Sequence, residues 1–288
     1  MARAAFRVNA ALPAAIEDIS RALGLVRPRV TRLSGGVANE SFRLQDGTRD
    51  YVLKLAGGAA ARLGSSRRAE VAMQSLAAGE GLAPRIVLVD QAGRCVVSEF
   101  VAGRAPLESE MRDPAFLARV GAWCARLHAL GVPAGIMPVD FGSRAAGYLA
   151  RIPDVSGSGV VPRLRRELER RRAALPRPAT LVPCHHDLHR RNLVDDGARL
   201  VAVDWEYAGP GDPAADLAAC ARYHALDTAG IEALAGGYGG ADAGFRARIA
   251  SVAWIFDCLW YGWNAVAAQE GLAVDAGEQS RLAARLLA

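Results

Sequence analysis

The sequence predicts an α+β chain of two lobes, the first rich in β-strands with one main helix and the second mostly helical. Three observations lead there. Up to about residue 100, short apolar and β-branched runs alternate with turn signals. From Gly103 onward, apolar residues recur at the spacing of buried helix faces. A single β island, around residues 193–194 and 200–203, interrupts that helical stretch. A strand-rich segment followed by a helix-rich one packs as two layers with a cleft between them. The expected lobes are residues 1–101 and 102–288.

The elements follow in order. Residues 29–33 and 40–44 are short β-type runs on either side of Ser34-Gly35-Gly36-Val37-Ala38-Asn39. Asp46-Gly47 is a hairpin signal, and residues 51–55 return as a strand. Alternation puts Val52 and Lys54 on one face of it. Ser65 and Ser66 can cap a helix running to Ala78, with Ala69, Ala72, Met73 and Leu76 as its apolar stripe. Strands over 86–89 and 95–100 flank a turn at 90–93. The second part predicts helices over 114–130, 144–151, 163–174, 214–225 and 245–268, with a loop at 153–162.

A chain of 288 residues with 51% apolar content can bury a substantial core. No secretory signal is expected, because Glu17 and Asp18 soon follow Arg3 and Arg7 without a continuous apolar run between. Residues 249–268 are apolar but contain Asp257 and Asn264, which fits a buried helix and no membrane span. Five scattered cysteines without a close pair fit a reduced, cytoplasmic protein. The net charge is +5, yet the densest basic run, at 163–172, places Glu167 and Glu169 four residues from arginines, as on a solvated helix. Nothing there reads nucleic acid. Of the 35 basic residues 34 are arginine, and Lys54 is the one lysine. A site that keeps lysine where arginine serves everywhere else needs a compact ammonium, unless the survival is chance.

The chemistry concentrates in Cys184-His185-His186-Asp187-Leu188-His189-Arg190-Arg191-Asn192 and in Asp204. A hairpin at Asp196-Gly197 folds Asn192 opposite Asp204, with Asp187 on the loop before it. Two carboxylates and an amide oxygen converge, a set that suits Mg2+ and a base for a hydroxyl proton. The histidines with Cys184 leave a zinc site open as an alternative, His185 and His189 standing four residues apart.

His185-x-Asp187-x4-Asn192, with Asp204 at a strand end, resembles the catalytic loop and metal-binding aspartate of protein-kinase-like enzymes. The longer pattern, through Asp212-Pro213 and Asp216, resembles the aminoglycoside phosphotransferase and choline kinase superfamily from about residue 30 onward. Asp204-Trp205-Glu206-Tyr207-Ala208-Gly209 is most similar to choline and thiamine kinases, while His186 stands where many relatives have Gly or Asn. The resemblance implies a bilobal protein-kinase-like fold that uses ATP and Mg2+, with a nucleotide-binding first lobe and a catalytic, acceptor-binding second lobe. It implies Asp187 as catalytic base and Asn192 and Asp204 as Mg2+ ligands. Lys54 would meet the ATP phosphates, paired with Glu70, which otherwise reads as a first-turn acid favoured by the helix dipole. Ser34, Gly35, Gly36 and Asn39 would cover the phosphates, and Glu99 and Val101 would form the adenine hinge. Asp216 would brace the catalytic loop.

Trp254, Asp257, Tyr261 and Asn264 fall along one stripe of the late helix, with Trp260 and Trp263 beside it and Glu206 and Tyr207 bordering the pocket. An acid among aromatics suits an organic cation. Asp257 can equally pair with a buried arginine inside an aromatic core, and both readings stay open. The expected reaction is ATP-dependent phosphorylation of a hydroxyl on a small cationic acceptor of choline, ethanolamine or thiamine type. Kinases of aminoglycosides, other antibiotics or sugars are the near alternatives, and a nucleotide-binding pseudokinase scaffold is the distant one. The sequence leaves the oligomeric state open.

Overall fold

The computed structural model describes residues 12–33, 39–58, 60–90, 92–153, 159–240 and 242–287. It opens on a helix that the sequence reading did not single out, α1 (Leu12–Leu23). Leu12, Ala15, Ile16, Ile19 and Leu23 carry its helical period. An antiparallel five-stranded sheet follows: β1 (Arg29–Leu33), β2 (Asn39–Asp46), β3 (Arg49–Ala56), β4 (Ile86–Val89) and β5 (Cys95–Glu99), in the order β1-β2-β3-β5-β4. Ala15 and Ile19 of α1 join Phe42, Leu44, Leu53, Cys95 and Val97 in a small core on one sheet face. Lys54, paired with Ser41 and Val96 across the sheet, falls on the other face by alternation.

Over that second face lies α2 (Arg67–Gly79), capped by Ser66, whose side chain accepts the Ala69 N–H at 3.4 Å. Its buried face is Ala69, Glu70, Met73, Gln74 and Ala77. The expected stripe through Ala72 and Leu76 is therefore corrected by part of a turn. Two polar side chains sit on the inner face, and each has a partner there: Gln74 donates to the Pro84 carbonyl at 3.0 Å, and Glu70 meets Lys54.

The remainder is helical: α3 (Pro114–His128), α4 (Phe141–Arg151), α5 (Val160–Ala174), α6 (Ala214–Tyr223), α7 (Thr228–Gly239), α8 (Ala243–Gln269) and α9 (Ala276–Leu287). Four short strands form two ribbons, β6 (Val182–Cys184) with β9 (Gly209–Gly211) and β7 (Leu193–Asp195) with β8 (Leu200–Ala202). The sequence reading missed α7, α9, β6 and β9, and α5 begins within the expected loop, whose residues 154–158 lie outside the described residues. In α7, glycine permits close approach to α3. A Cβ at Gly237 would lie 2.0 Å from the Ala118 carbonyl oxygen, and one at Gly121 would lie 2.0 Å from that of Leu234. Tight helix contact outweighs the poor helix propensity that hid this element.

The two parts meet where the Ala202 N–H donates to the Leu82 carbonyl at 2.9 Å and where Lys54 reaches Asp204. Among the described residues no helix is long and apolar enough to cross a membrane, and all five cysteines are buried and free.

Candidate active site

The loop after β6 is set by a buried carboxylate. Asp216, fully buried in the first turn of α6, accepts the N–H groups of His185 at 2.9 Å and His186 at 2.6 Å. It also meets His128 Nε2 at 3.1 Å. Burial pushes its carboxyl upward, but the bond with His128 and the nearby imidazoles outweigh burial and hold it below the ordinary aspartate value. These contacts keep His186 at φ +67°, a left-handed backbone that a residue without glycine's freedom adopts only when its surroundings enforce it.

His185 accepts the Asp187 N–H on Nδ1 at 3.3 Å, so Nε2 carries the proton and donates to the Val203 carbonyl at 2.9 Å. Burial lowers its pKa and pulls His186 down to about 4. Both ring nitrogens of His185 are thus committed to the backbone. The Cys184 thiol donates to the carbonyls of Val182 and Asp212, and burial raises its pKa well above normal. That chemistry opposes the zinc alternative, which needs a thiolate and a free imidazole lone pair.

Asp187 is gripped at both oxygens. The Tyr223 hydroxyl donates to Oδ1 at 2.6 Å, and Asn192 Nδ2 donates to Oδ2 at 2.9 Å and to the main-chain carbonyl at 2.9 Å. The Val203 N–H donates to the Asn192 carbonyl at 2.8 Å, which sets the start of β7 beside the end of β8 and Asp204. Asp204 itself lies at φ +63°. From the opposite sheet, Lys54 Nζ stands 2.9 Å from Glu70 Oε1 and 2.5 Å from Asp204 Oδ1. Arg67 holds the other Glu70 oxygen at 2.5 Å.

The charges follow from this geometry. Burial works hardest on Lys54, to lower its pKa, but Asp204, Glu70 and Glu206 together raise it above the normal lysine value. Asp204 is likewise pushed up by burial and held net low by Lys54. Glu206 goes the other way, to about 8, because burial first and Asp204 second disfavour another negative charge. Asn39 Nδ2 donates to Glu206, and its Oδ1 accepts the Gly57 N–H at 3.1 Å.

One cavity of about 970 Å³ gathers most of the residues singled out in the sequence. Lys54, Glu70, Glu99, Val101, Asp187, Asn192, Asp204, Glu206, Tyr207 and Trp260 all line it. Ser34, Gly35 and Gly36 lie outside the described residues. Asn39 is absent from the wall, its amide spent on Glu206 and Gly57.

Of the two readings left open for Asp257, the pairing with arginine is the one found, and the acceptor stripe on α8 is corrected. Phe256, Leu259, Trp260 and Trp263 face the cavity, so the exposed stripe is turned from the one expected, and Trp254, Asp257 and Tyr261 are not on it. Asp257, 1% exposed, is bound by Arg285 at 2.7 and 2.9 Å and by Arg222. A buried acid needs such partners, and two arginines supply them. Trp254 packs under the Arg171 guanidinium, 4.3 Å from ring centre to Cζ, and Tyr261 is buried in the core.

Sequence reasoning missed Tyr223, Tyr148 and Arg144, which also line the cavity. For Tyr223 a signal was present: it stands seven residues, two turns, after Asp216 on the same face of α6. Arg144 and Tyr148 share a face of α4 by the same rule, but nothing in their spacing says that this face meets a cavity.

The sequence profile of the phosphotransferase enzyme family matches residues 29–249. The thiamine kinase of Escherichia coli O17:K52:H18 is 52% identical over 56 residues, 19% of this chain and 20% of that protein. The match thus spans about a fifth of the length of that relative. Among solved structures, a choline/ethanolamine kinase family protein from Mesorhizobium loti superposes with a TM-score of 0.77 at 26% identity, over 94% of this chain and 93% of that one. The choline kinase LicA from Streptococcus pneumoniae shares the fold, with a TM-score of 0.77 at 20% identity over 94% and 96%. LicA is also known in complex with AMP.

Proposed function

Because the chain belongs to the phosphotransferase enzyme family, we propose that it transfers the γ-phosphoryl group of ATP to a hydroxyl of a small molecule. The observation that carries this reading is the cavity shared by Lys54, Asp187, Asn192 and Asp204, which come from separate segments of the chain. Residues 1–101 act as the nucleotide-binding lobe and 102–288 as the catalytic and acceptor-binding lobe. Adenine lies against Glu99 and Val101, where the Val101 N–H has no hydrogen-bond partner among the described residues. Lys54, oriented by Glu70, meets the phosphates, with Ser34, Gly35 and Gly36 as the covering turn.

Asn192 and Asp204 fit Mg2+. The ion prefers hard oxygen ligands and shares its shell with phosphate and water. The Asn192 nitrogen faces Asp187, which leaves its Oδ1 as a donor on the same cavity wall as the Asp204 carboxylate. Bound there, Mg2+ would neutralise charge on the phosphate oxygens.

The acceptor oxygen attacks the γ-phosphorus while its proton passes to Asp187, and the bond to the β,γ-bridging oxygen breaks to release ADP. Tyr223 and Asn192 each hold one Asp187 oxygen, and lone pairs remain for the incoming hydroxyl. Tyr223 is therefore a positioning residue. Lys54 offsets charge on the transferring group.

For the acceptor, the reading is a small cationic alcohol of choline, ethanolamine or thiamine type. With Asp257 tied up elsewhere, Glu206 and the rings of Tyr207, Trp260 and Trp263 support it. The thiamine kinase likeness points the same way. A transfer assay with ATP and Mg2+ over choline, ethanolamine, thiamine and an aminoglycoside tests it, with phosphorylation expected among the first three. ATP binding without transfer to any alcohol would favour a nucleotide-binding scaffold instead.

A further inference from the structure

We propose that the acceptor carries an anionic group, a carboxylate or a comparable oxyanion, and that Arg144 is the residue that seats it. This rests on the phosphotransfer reading above and sharpens its substrate class.

Arg144 lies on α4 and lines the cavity near Tyr148 and Tyr207. Its guanidinium makes one hydrogen bond among the described residues, from Nη2 to the Gly64 carbonyl at 3.1 Å. It also stands 6.0 Å from the Tyr207 ring centre. Among the described residues no carboxylate comes within ion-pair distance of it. The other partly buried arginines do have acids: Arg67 has Glu70, Arg248 has Asp212, and Arg222 and Arg285 share Asp257.

A guanidinium offers five N–H donors in a planar fork that matches an oxyanion. Removing it from bulk water without a counter-charge is unfavourable. Here burial lowers its pKa, and the neighbours that act against burial are two neutral tyrosines rather than an acid. The exposed Arg191, also on the wall, is solvated and needs no such partner. Gly64, at φ +82°, adopts a left-handed backbone that glycine takes without strain, and its carbonyl accepts the guanidinium's hydrogen bond. The fork is thus anchored at one end and open to the cavity at the other. A zwitterion, with its anion on the fork and its positive end toward Glu206, would complete both charges, whereas a plain cationic alcohol would occupy only the Glu206 end and a hydroxy acid only the fork.

Four alcohols that share a primary hydroxyl arm and differ at its other end test this: 3-hydroxypropionate, homoserine, 3-amino-1-propanol and 1,3-propanediol. Their binding is measured by calorimetry to the full chain and to its Asp187→Asn form, which holds ligands without turnover. The hydroxy acid and the zwitterion should bind at least about tenfold tighter than the diol. Arg144→Gln should weaken both by about 10- to 100-fold and leave the diol and ATP within about twofold. Arg144→Lys, which keeps the charge but loses the fork, should fall between. Equal affinity for acid and diol on the unsubstituted chain overturns the proposal without any variant. So does unchanged acid binding in a folded Arg144→Gln protein. Phosphoryl transfer by the unsubstituted chain, read in parallel, reports on the parent reading separately: binding selectivity without transfer would sink phosphotransfer and leave the anion subsite standing.

Discussion

Lys54 illustrates why one side chain can be irreplaceable in an arginine-rich chain. Its ammonium sits between Glu70 and Asp204, with its side chain 12% exposed, and a point charge can serve two carboxylates on different lobes at once. A planar guanidinium is longer and pairs best with one carboxylate face-on. Lys54→Arg is therefore expected to lower kcat/KM for ATP by about 100-fold, or about 2.7 kcal/mol of transition-state stabilisation, as read from initial rates; a value within twofold of the parent would contradict the assignment. Glu206 gives a prediction of a different kind. It keeps its proton to about pH 8, so a cationic acceptor that needs its carboxylate must displace that proton at lower pH. Calorimetry of choline or thiamine on the nucleotide-free chain should show affinity rising by roughly tenfold per pH unit below 8 and levelling above it. Glu206→Gln should flatten the profile, and a flat profile in the unsubstituted chain would remove Glu206 from the cation site.

At the scale of elements, the sequence located helices and strands better than it set their rotation. Both α2 and α8 were found; the buried face of α2 is turned from the expected apolar stripe, and of the two readings left open for Asp257 on α8 the pairing with arginine is the one found. Glu70 and Gln74 face inward on α2 because polar partners wait there, and Asp257 faces inward on α8 because Arg222 and Arg285 do. Periodicity counts apolar residues and is blind to buried polar pairs whose partners lie far away in sequence. α7 was missed because its glycines weaken the local helix signal while allowing close contact with α3. The assignment of Asp257 to an ion pair is testable. Asp257→Ala leaves two partly exposed arginines without their acid. The full cost of breaking a buried pair is about 3–5 kcal/mol, and solvent at the arginines reduces this to about 2 kcal/mol. Urea unfolding should show that loss while the acceptor KM stays within twofold. A large rise in KM with unchanged stability would return Asp257 to the acceptor site.

At the scale of the whole molecule, the candidate site is a product of lobes meeting. The Asp187, Asn192 and Asp204 set was legible because a hairpin at Asp196-Gly197 brings it together within about twenty residues of chain. Lys54 was legible from composition and from its strand. Arg144 and Tyr148 were not, since their roles depend on which helix faces close one cavity, and that is decided by packing across the chain. The central claim is that this cavity transfers a phosphoryl group with Asp187 receiving the acceptor's proton. Asp187→Asn keeps the size of the side chain and removes its basicity. Steady-state turnover of the best acceptor should fall by about 10²- to 10⁴-fold, while AMP-PNP binding by calorimetry stays within about threefold. Turnover within a few-fold of the parent, with nucleotide binding intact, would contradict the claim.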